Sequence, residues 1–219
     1  MVALKIKGIV FDMDGTLFDT ERVSLKGCKR ANKDFGIEFS EEVFVGFMGL
    51  PSREIERKYL EMFGQDFDYA TYRELKIKYM NEEIEEKGVP CKEGLFELLD
   101  YAKENNISCA VATSTSRWRA EELIKKAEVE KYFDAIICGE DVKNGKPNPD
   151  IFCYAAEKIG LNPEDCIGIE DSRNGILAVS KSGMYSILIP DLAPVTDEMT
   201  AAADLVCNSL KDVLELIKK

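Results

Sequence analysis

Two aspartates stand two residues apart at the end of an apolar run, IKGIVFDMDGT, residues 6–16. Alternate residues of a strand share a face, so this spacing predicts that Asp12 and Asp14 project together. Like charges held that close repel, and a bound cation or a shared proton relieves the conflict. Three more groups of reactive residue types follow. Thr113, Ser114, Thr115 and Ser116 are consecutive, Lys146 lies in KNGKPNPD, and Glu170 and Asp171 lie in GIEDSRNG. Four carboxylates without an imidazole describe a site for a hard cation, foremost Mg²⁺. A hydroxyl-rich turn ahead of a helix offers N–H and O–H donors to an anion, and a lysine supplies a compact positive charge for phosphate. A metal, an anion nest and a cation around one carboxylate point to phosphoryl transfer.

These groups need a scaffold that gathers them. Short, continuous apolar runs recur at residues 6–11, 107–113, 134–139, 166–171 and 184–190, with a weaker one at 204–208. Continuous runs of this length are expected of strands buried on both faces. From residue 93 the runs alternate with helical patterns, which implies right-handed βαβ units and an α/β fold with a doubly wound, mainly parallel sheet. Residues 20–87 carry no strand signal and read as consecutive amphipathic helices, with starts at Ser40-Glu41-Glu42-Val43 and Pro51-Ser52-Arg53-Glu54 and a stop at Gly88 before Pro90. The expected organisation is a core of residues 1–18 plus 88–219 with an inserted all-α helical domain of 19–87. In open α/β sheets the ligand crevice lies outside the carboxyl ends of the strands. The aspartates, the hydroxyl cluster, Lys146 and the Glu170-Asp171 pair follow the first, second, third and fourth strands in that order.

Each group has a blander reading. A calcium loop starting at Asp12 would need glycine sixth and glutamate twelfth, where this chain has Leu17 and Val23. Ser114 and its neighbours could only cap a helix, Lys146 could be a solvated turn residue, and Glu170-Asp171-Ser172 could be a plain helix start. The common placement at strand ends favours a site. Arg117 and Trp118 follow the hydroxyl cluster and could touch a ligand, although an aromatic at a helix start is expected to pack.

The net charge of −12 argues against a nucleic-acid or anionic-membrane surface. Histidine is absent, which excludes imidazole bases, Ser-His-Asp triads and His-ligated zinc. The seven cysteines include no CxxC pair and read as small buried hydrophobes in a reducing compartment. Lys5 and Lys7 break the N-terminal stretch, and no run approaches transmembrane length. A cytoplasmic monomer is expected, with no nucleic-acid or membrane partner.

DMDGT, ATST, KPNPD and GIEDSRNG, each after its strand, resemble the haloacid dehalogenase superfamily across essentially the whole chain. The helical insert looks like the small cap of its β-phosphoglucomutase-like branch. The resemblance implies a Rossmann-like core, with Asp12 as nucleophile forming an aspartyl-phosphate and Asp14 as general acid, then base. It further implies Mg²⁺ held by Asp12, the Asp14 carbonyl and Asp171, with Glu170 close by. Ser114, with Thr115 beside it, and Lys146 would bind the phosphoryl group, and Arg53 sits where mutases of this branch place a substrate-contacting arginine. A phosphatase acting on a small phosphorylated metabolite, such as a sugar phosphate, is the expected function. A phosphosugar mutase is the alternative, but mutases of this type carry a histidine ten residues past the second aspartate, where this chain has Ser24. A dehalogenase would lack Asp14, and a cap-lysine phosphonatase has no evident apolar lysine site. A receiver-like signalling module would phosphorylate the third strand's end, near Glu140 and Asp141, and would lack the helical insert.

Overall fold

The computed structural model describes residues 6–38, 40–48, 50 and 52–218. Pro51, expected at a helix start, and Lys5 lie outside these residues. Six strands form one sheet: β1 Gly8–Phe11, β2 Ser108–Thr113, β3 Ala135–Cys138, β4 Cys166–Glu170, β5 Tyr185–Leu188 and β6 Leu205–Val206. Their order is β3-β2-β1-β4-β5-β6, and all five pairings are parallel. The chain winds from β1 outward through β2 to β3, then crosses back to start β4 on the other side of β1. That reversal makes the carboxyl end of β1 a topological switch point.

Helices α5 Leu95–Glu104, α6 Arg117–Lys126, α7 Asp150–Lys158, α8 Arg173–Ser182, α9 Asp197–Ala202 and α10 Leu210–Ile217 complete the α/β unit. Ahead of them in the chain run α1 Thr20–Phe35, α2 Glu41–Val45, α3 Ser52–Phe63 and α4 Tyr69–Lys87. Small residues let α7 and α8 approach the sheet, and Val10, Ala110, Ala112, Phe152, Ala155, Ala178 and Val179 share one buried cluster. Burial on this scale contributes about 25 cal/mol per Å² of apolar surface removed from water.

The chain divides into two compact units, one running through Asp19 and resuming at Val89, the other spanning Thr20–Gly88. The segments joining them pair with each other: Phe18 bridges Cys91 in antiparallel fashion. The Asp19 N–H donates to the Pro90 carbonyl at 2.7 Å and the Lys92 N–H to that of Leu17 at 2.9 Å. The second unit is helical and built around rings. Tyr59 and Tyr72 are buried with Ala31, and Phe35, Phe47, Phe63 and Phe67 pack against them. Its ion pairs lie at the surface, Lys26 to Glu83 at 2.7 Å and Arg30 to Glu82 at 2.6 Å, tying α1 to α4.

All seven cysteines are free thiols, five of them buried. Burial pushes Cys109 up to about 12 and Cys166 and Cys207 up to about 11, so these thiols stay protonated at neutral pH. Among the described residues no helix is long and apolar enough to cross a membrane.

Candidate active site at the carboxyl edge of the sheet

Strand β1 ends at Phe11, one residue short of the first aspartate. The Asp12 N–H extends the ladder by donating to the Ile169 carbonyl at 2.9 Å, which buries Asp12 between β2 and β4. Asp14 is half-buried in the turn beyond, where Gly15 N–H donates to the Phe18 carbonyl at 2.8 Å. The two aspartates are therefore not alternate rungs of one strand, as their spacing predicted: the second is delivered by a turn. Gly15 makes that turn possible with a φ of +86°, and a Cβ there would lie 2.4 Å from an Asp171 carboxylate oxygen. Only glycine adopts this conformation cheaply while leaving room for the acid.

Asp12, Glu170 and Asp171 are buried, and each offers a carboxylate oxygen within 4.8 Å of the others. Lys146 reaches them from the loop before α7, and only 7% of its side chain is exposed. It ion-pairs with Asp12 and with Glu170 at 2.7 Å and donates to the Ala112 carbonyl at 3.0 Å. These contacts use the three N–H donors of an ammonium, so a phosphoryl oxygen would have to share or replace one. Lys146 is thus a buried counterion rather than a solvated turn residue. Burial would lower its pKa, but Asp12 and Glu170 outweigh that effect and hold it above the usual lysine value. Burial pushes Asp12 well above the usual carboxylate range, with Glu170 and Asp14 adding to the rise and Lys146 opposing it. Three clustered carboxylates against one ammonium leave the site rich in negative charge, and the all-oxygen donor set suits a hard divalent cation.

Glu170 is held through both of its carboxylate oxygens. Its Oε2 accepts from the Asp171 N–H, the Ser172 N–H and the Ser172 hydroxyl, each at 2.9 Å, while Oε1 faces Lys146. A Cβ on Gly175 would lie 1.7 Å from the Glu170 carboxylate, so the bare first turn of α8 is what gives that side chain its space. The Ser172 hydroxyl also caps α8 by accepting from the Gly175 N–H at 3.1 Å. The helix-start reading of this motif therefore holds, and its Glu170 and Asp171 stand in the buried carboxylate cluster.

The hydroxyl cluster does not cap α6. Ser116 occupies the N-cap position without a side-chain cap bond. Ser114 is exposed at the head of the loop. Thr113 Oγ1 accepts from the Thr115 N–H at 3.0 Å, and Thr115 Oγ1 donates to Asp14 Oδ2 at 2.6 Å. Arg117 turns to Asp141 at 2.5 Å and Glu121 at 3.1 Å. Trp118, expected to pack, is instead 65% exposed, because its place in the first turn of α6 points away from the buried Ala120–Leu123–Ile124 face. Arg53 lies exposed on α3 in the helical unit. Gly15, Gly175 and the Thr115–Asp14 bond were not singled out from sequence, although both glycines lie inside quoted motifs.

A family model described as haloacid dehalogenase-like hydrolase matches residues 9–189. The phosphorylated carbohydrates phosphatase of Thermotoga maritima is 32% identical over 187 residues, 83% of this chain and 84% of the relative. The fructose-1-phosphate phosphatase of Escherichia coli is 28% identical over 182 residues, 82% of this chain and 94% of the relative. Among solved structures, CbbY from Rhodobacter sphaeroides in complex with phosphate superposes with a TM-score of 0.80 at 25% identity, covering 98% of this chain and 100% of that one.

Proposed function

The chain belongs to the haloacid dehalogenase-like hydrolases, and from that premise we propose that it is a Mg²⁺-dependent phosphatase of small phosphorylated metabolites, foremost sugar phosphates. The observation that carries this reading is the buried Asp12–Lys146–Glu170 ion cluster with Asp171 beside it. Burying such charges costs several kcal/mol unless they are paired, and a carboxylate beside a fixed cation is a suitable phosphoryl acceptor.

Asp12 attacks phosphorus, so that its O–P bond forms as the bond to the leaving oxygen breaks. Asp14 gives that oxygen a proton. Water then attacks the phosphorylated Asp12, Asp14 takes back a proton, and the Asp12–phosphorus bond breaks to release inorganic phosphate. Lys146 and Ser114 bind the phosphoryl oxygens. Asp12 and Asp171 would hold Mg²⁺, with the Asp14 carbonyl and Glu170 as further donors. When bound, the ion would neutralise charge on the transferring group. The helical unit serves as a cap that selects the leaving group, with Arg53 as a contact to substrate, and the protein works as a cytoplasmic monomer. A mutase is disfavoured because Ser24 stands where such mutases carry a histidine.

The test is a panel of phosphorylated metabolites with Mg²⁺, assayed for free phosphate. At least one sugar phosphate is expected to be hydrolysed, with Asp12→Asn falling below about 1% of the parent rate. Asp12→Asn activity near the parent's would overturn the nucleophile assignment. An isomer of β-glucose 1-phosphate, formed in place of free phosphate, would establish the mutase instead.

A further inference from the structure

Thr115 follows the exposed Ser114 and could be taken for a second phosphate-binding hydroxyl. Its geometry argues otherwise. A threonine hydroxyl has one proton to donate, and Thr115 directs it at Asp14 Oδ2 at 2.6 Å. That distance is typical of a strong hydroxyl–carboxylate bond. With the proton so committed, the hydroxyl presents only lone pairs to a phosphoryl oxygen, which repels them.

The loop that carries Thr115 is fixed at both ends. At its start the Thr115 N–H donates to Oγ1 of Thr113 at 3.0 Å, and Thr113 is 1% exposed at the end of β2. The pairing of β2 with β1 in the register Phe11↔Val111 sets that end beside the aspartate turn. At its far end the Arg117 guanidinium bonds to Asp141 at 2.5 Å and reaches the Ile136 carbonyl at 3.4 Å, anchoring the start of α6 to β3. Asp14 itself sits in a turn beyond β1, outside the sheet ladder, and the Thr115 hydroxyl bonds its carboxylate there.

We propose that Thr115 is a positioning residue whose hydroxyl holds the Asp14 carboxylate in place for both proton transfers. This rests on the reading of Asp14 as the acid and base. Both residues belong to the α/β unit, so the base is oriented by the sheet edge itself and stands ready for the water that attacks phosphorylated Asp12.

The test compares Thr115→Val, Thr115→Ala, Thr115→Ser and Asp14→Asn, with p-nitrophenyl phosphate as substrate and Mg²⁺ present. Steady-state kcat and KM are measured, together with the decay of phosphoenzyme in single turnover. Val and Ala are expected to lower kcat and phosphoenzyme decay about tenfold with KM within about twofold of the parent, and Ser to restore both. The two variants lacking the hydroxyl guard against one failing to fold. Parent-like kcat and decay in either folded one, with Asp14→Asn inactive, overturns the proposal and leaves the phosphatase reading intact. A raised KM with unchanged kcat also overturns it, because it makes Thr115 a substrate contact. Parent-like turnover by Asp14→Asn would remove the acid–base reading on which the proposal stands.

Discussion

The α/β unit buries ions at the end of its sheet, whereas the helical unit keeps its ions outside and fills its interior with rings. In the first, Asp12, Lys146, Glu170 and Asp171 lie together out of solvent. In the second, Tyr59 and Tyr72 meet at a centroid distance of 4.9 Å and Phe35 packs edge-on to Tyr72 at 5.4 Å. A polar chain in that ring core runs from the Tyr59 hydroxyl to the Tyr72 hydroxyl at 3.1 Å and on to Asn32 Oδ1 at 2.7 Å. Burial holds both phenols above their usual range, so they remain neutral. Replacing buried charges by apolar groups often stabilises a fold. Under the proposed function the α/β unit keeps such charges for chemistry, whereas the neutral, mutually bonded groups of the helical unit serve its shape.

That contrast can be broken. The largest effect is expected from Gly175→Ala, whose Cβ would collide with the Glu170 carboxylate. Overpacking of this kind costs about 1–3 kcal/mol, and displacing Glu170 from Lys146 should lower turnover more than tenfold. Thermal melts and phosphatase rates check both, and a variant with parent-like turnover would show that Glu170 need not be held where it is. Tyr72→Phe is next. It removes the middle hydroxyl of the chain and should cost about 1–2 kcal/mol by leaving Asn32 and Tyr59 short of a partner, with kcat unchanged. A drop in kcat comparable to that of Gly175→Ala would erase the division between the two units.

The smallest effect sharpens the comparison at the surface. Hydrogen bonds from Lys26, then Lys87, hold Glu83 below the usual glutamate range. Stability from a lowered carboxylate is present above its unfolded pKa and is lost as pH falls through the folded value. Acid titration of thermal stability should therefore be slightly shallower in Glu83→Gln, with activity unaltered. A change as large as that of Tyr72→Phe would show the surface ions to matter as much as the rings.

The sheet and the strand-end residues were legible because buried parallel strands leave continuous apolar runs, and Asp12, Lys146, Glu170 and Asp171 each follow one. Contacts made across the fold were not legible. Thr115 and Asp14 are 101 positions apart, and nothing local to either residue marks the bond. The turn that carries Asp14 looks like strand in the sequence, because a period of two continues through Asp12-Met13-Asp14 although β1 ends at Phe11. The exposure of Trp118 is not legible either, because an apolar residue in a first helical turn does not reveal whether another element covers it. In the helical unit the ring core draws on α1, α3, α4 and Phe67 between them, a convergence that helical periodicity alone does not encode.

The paired segments at Leu17–Asp19 and Pro90–Lys92 have an evolutionary consequence. An excursion that leaves and re-enters the chain path through hydrogen-bonded neighbours can be lengthened, shortened or exchanged without altering the order of the strands. Such closely spaced junctions tolerate insertion, so the sheet can be inherited with its chemistry intact while the intervening helices diversify.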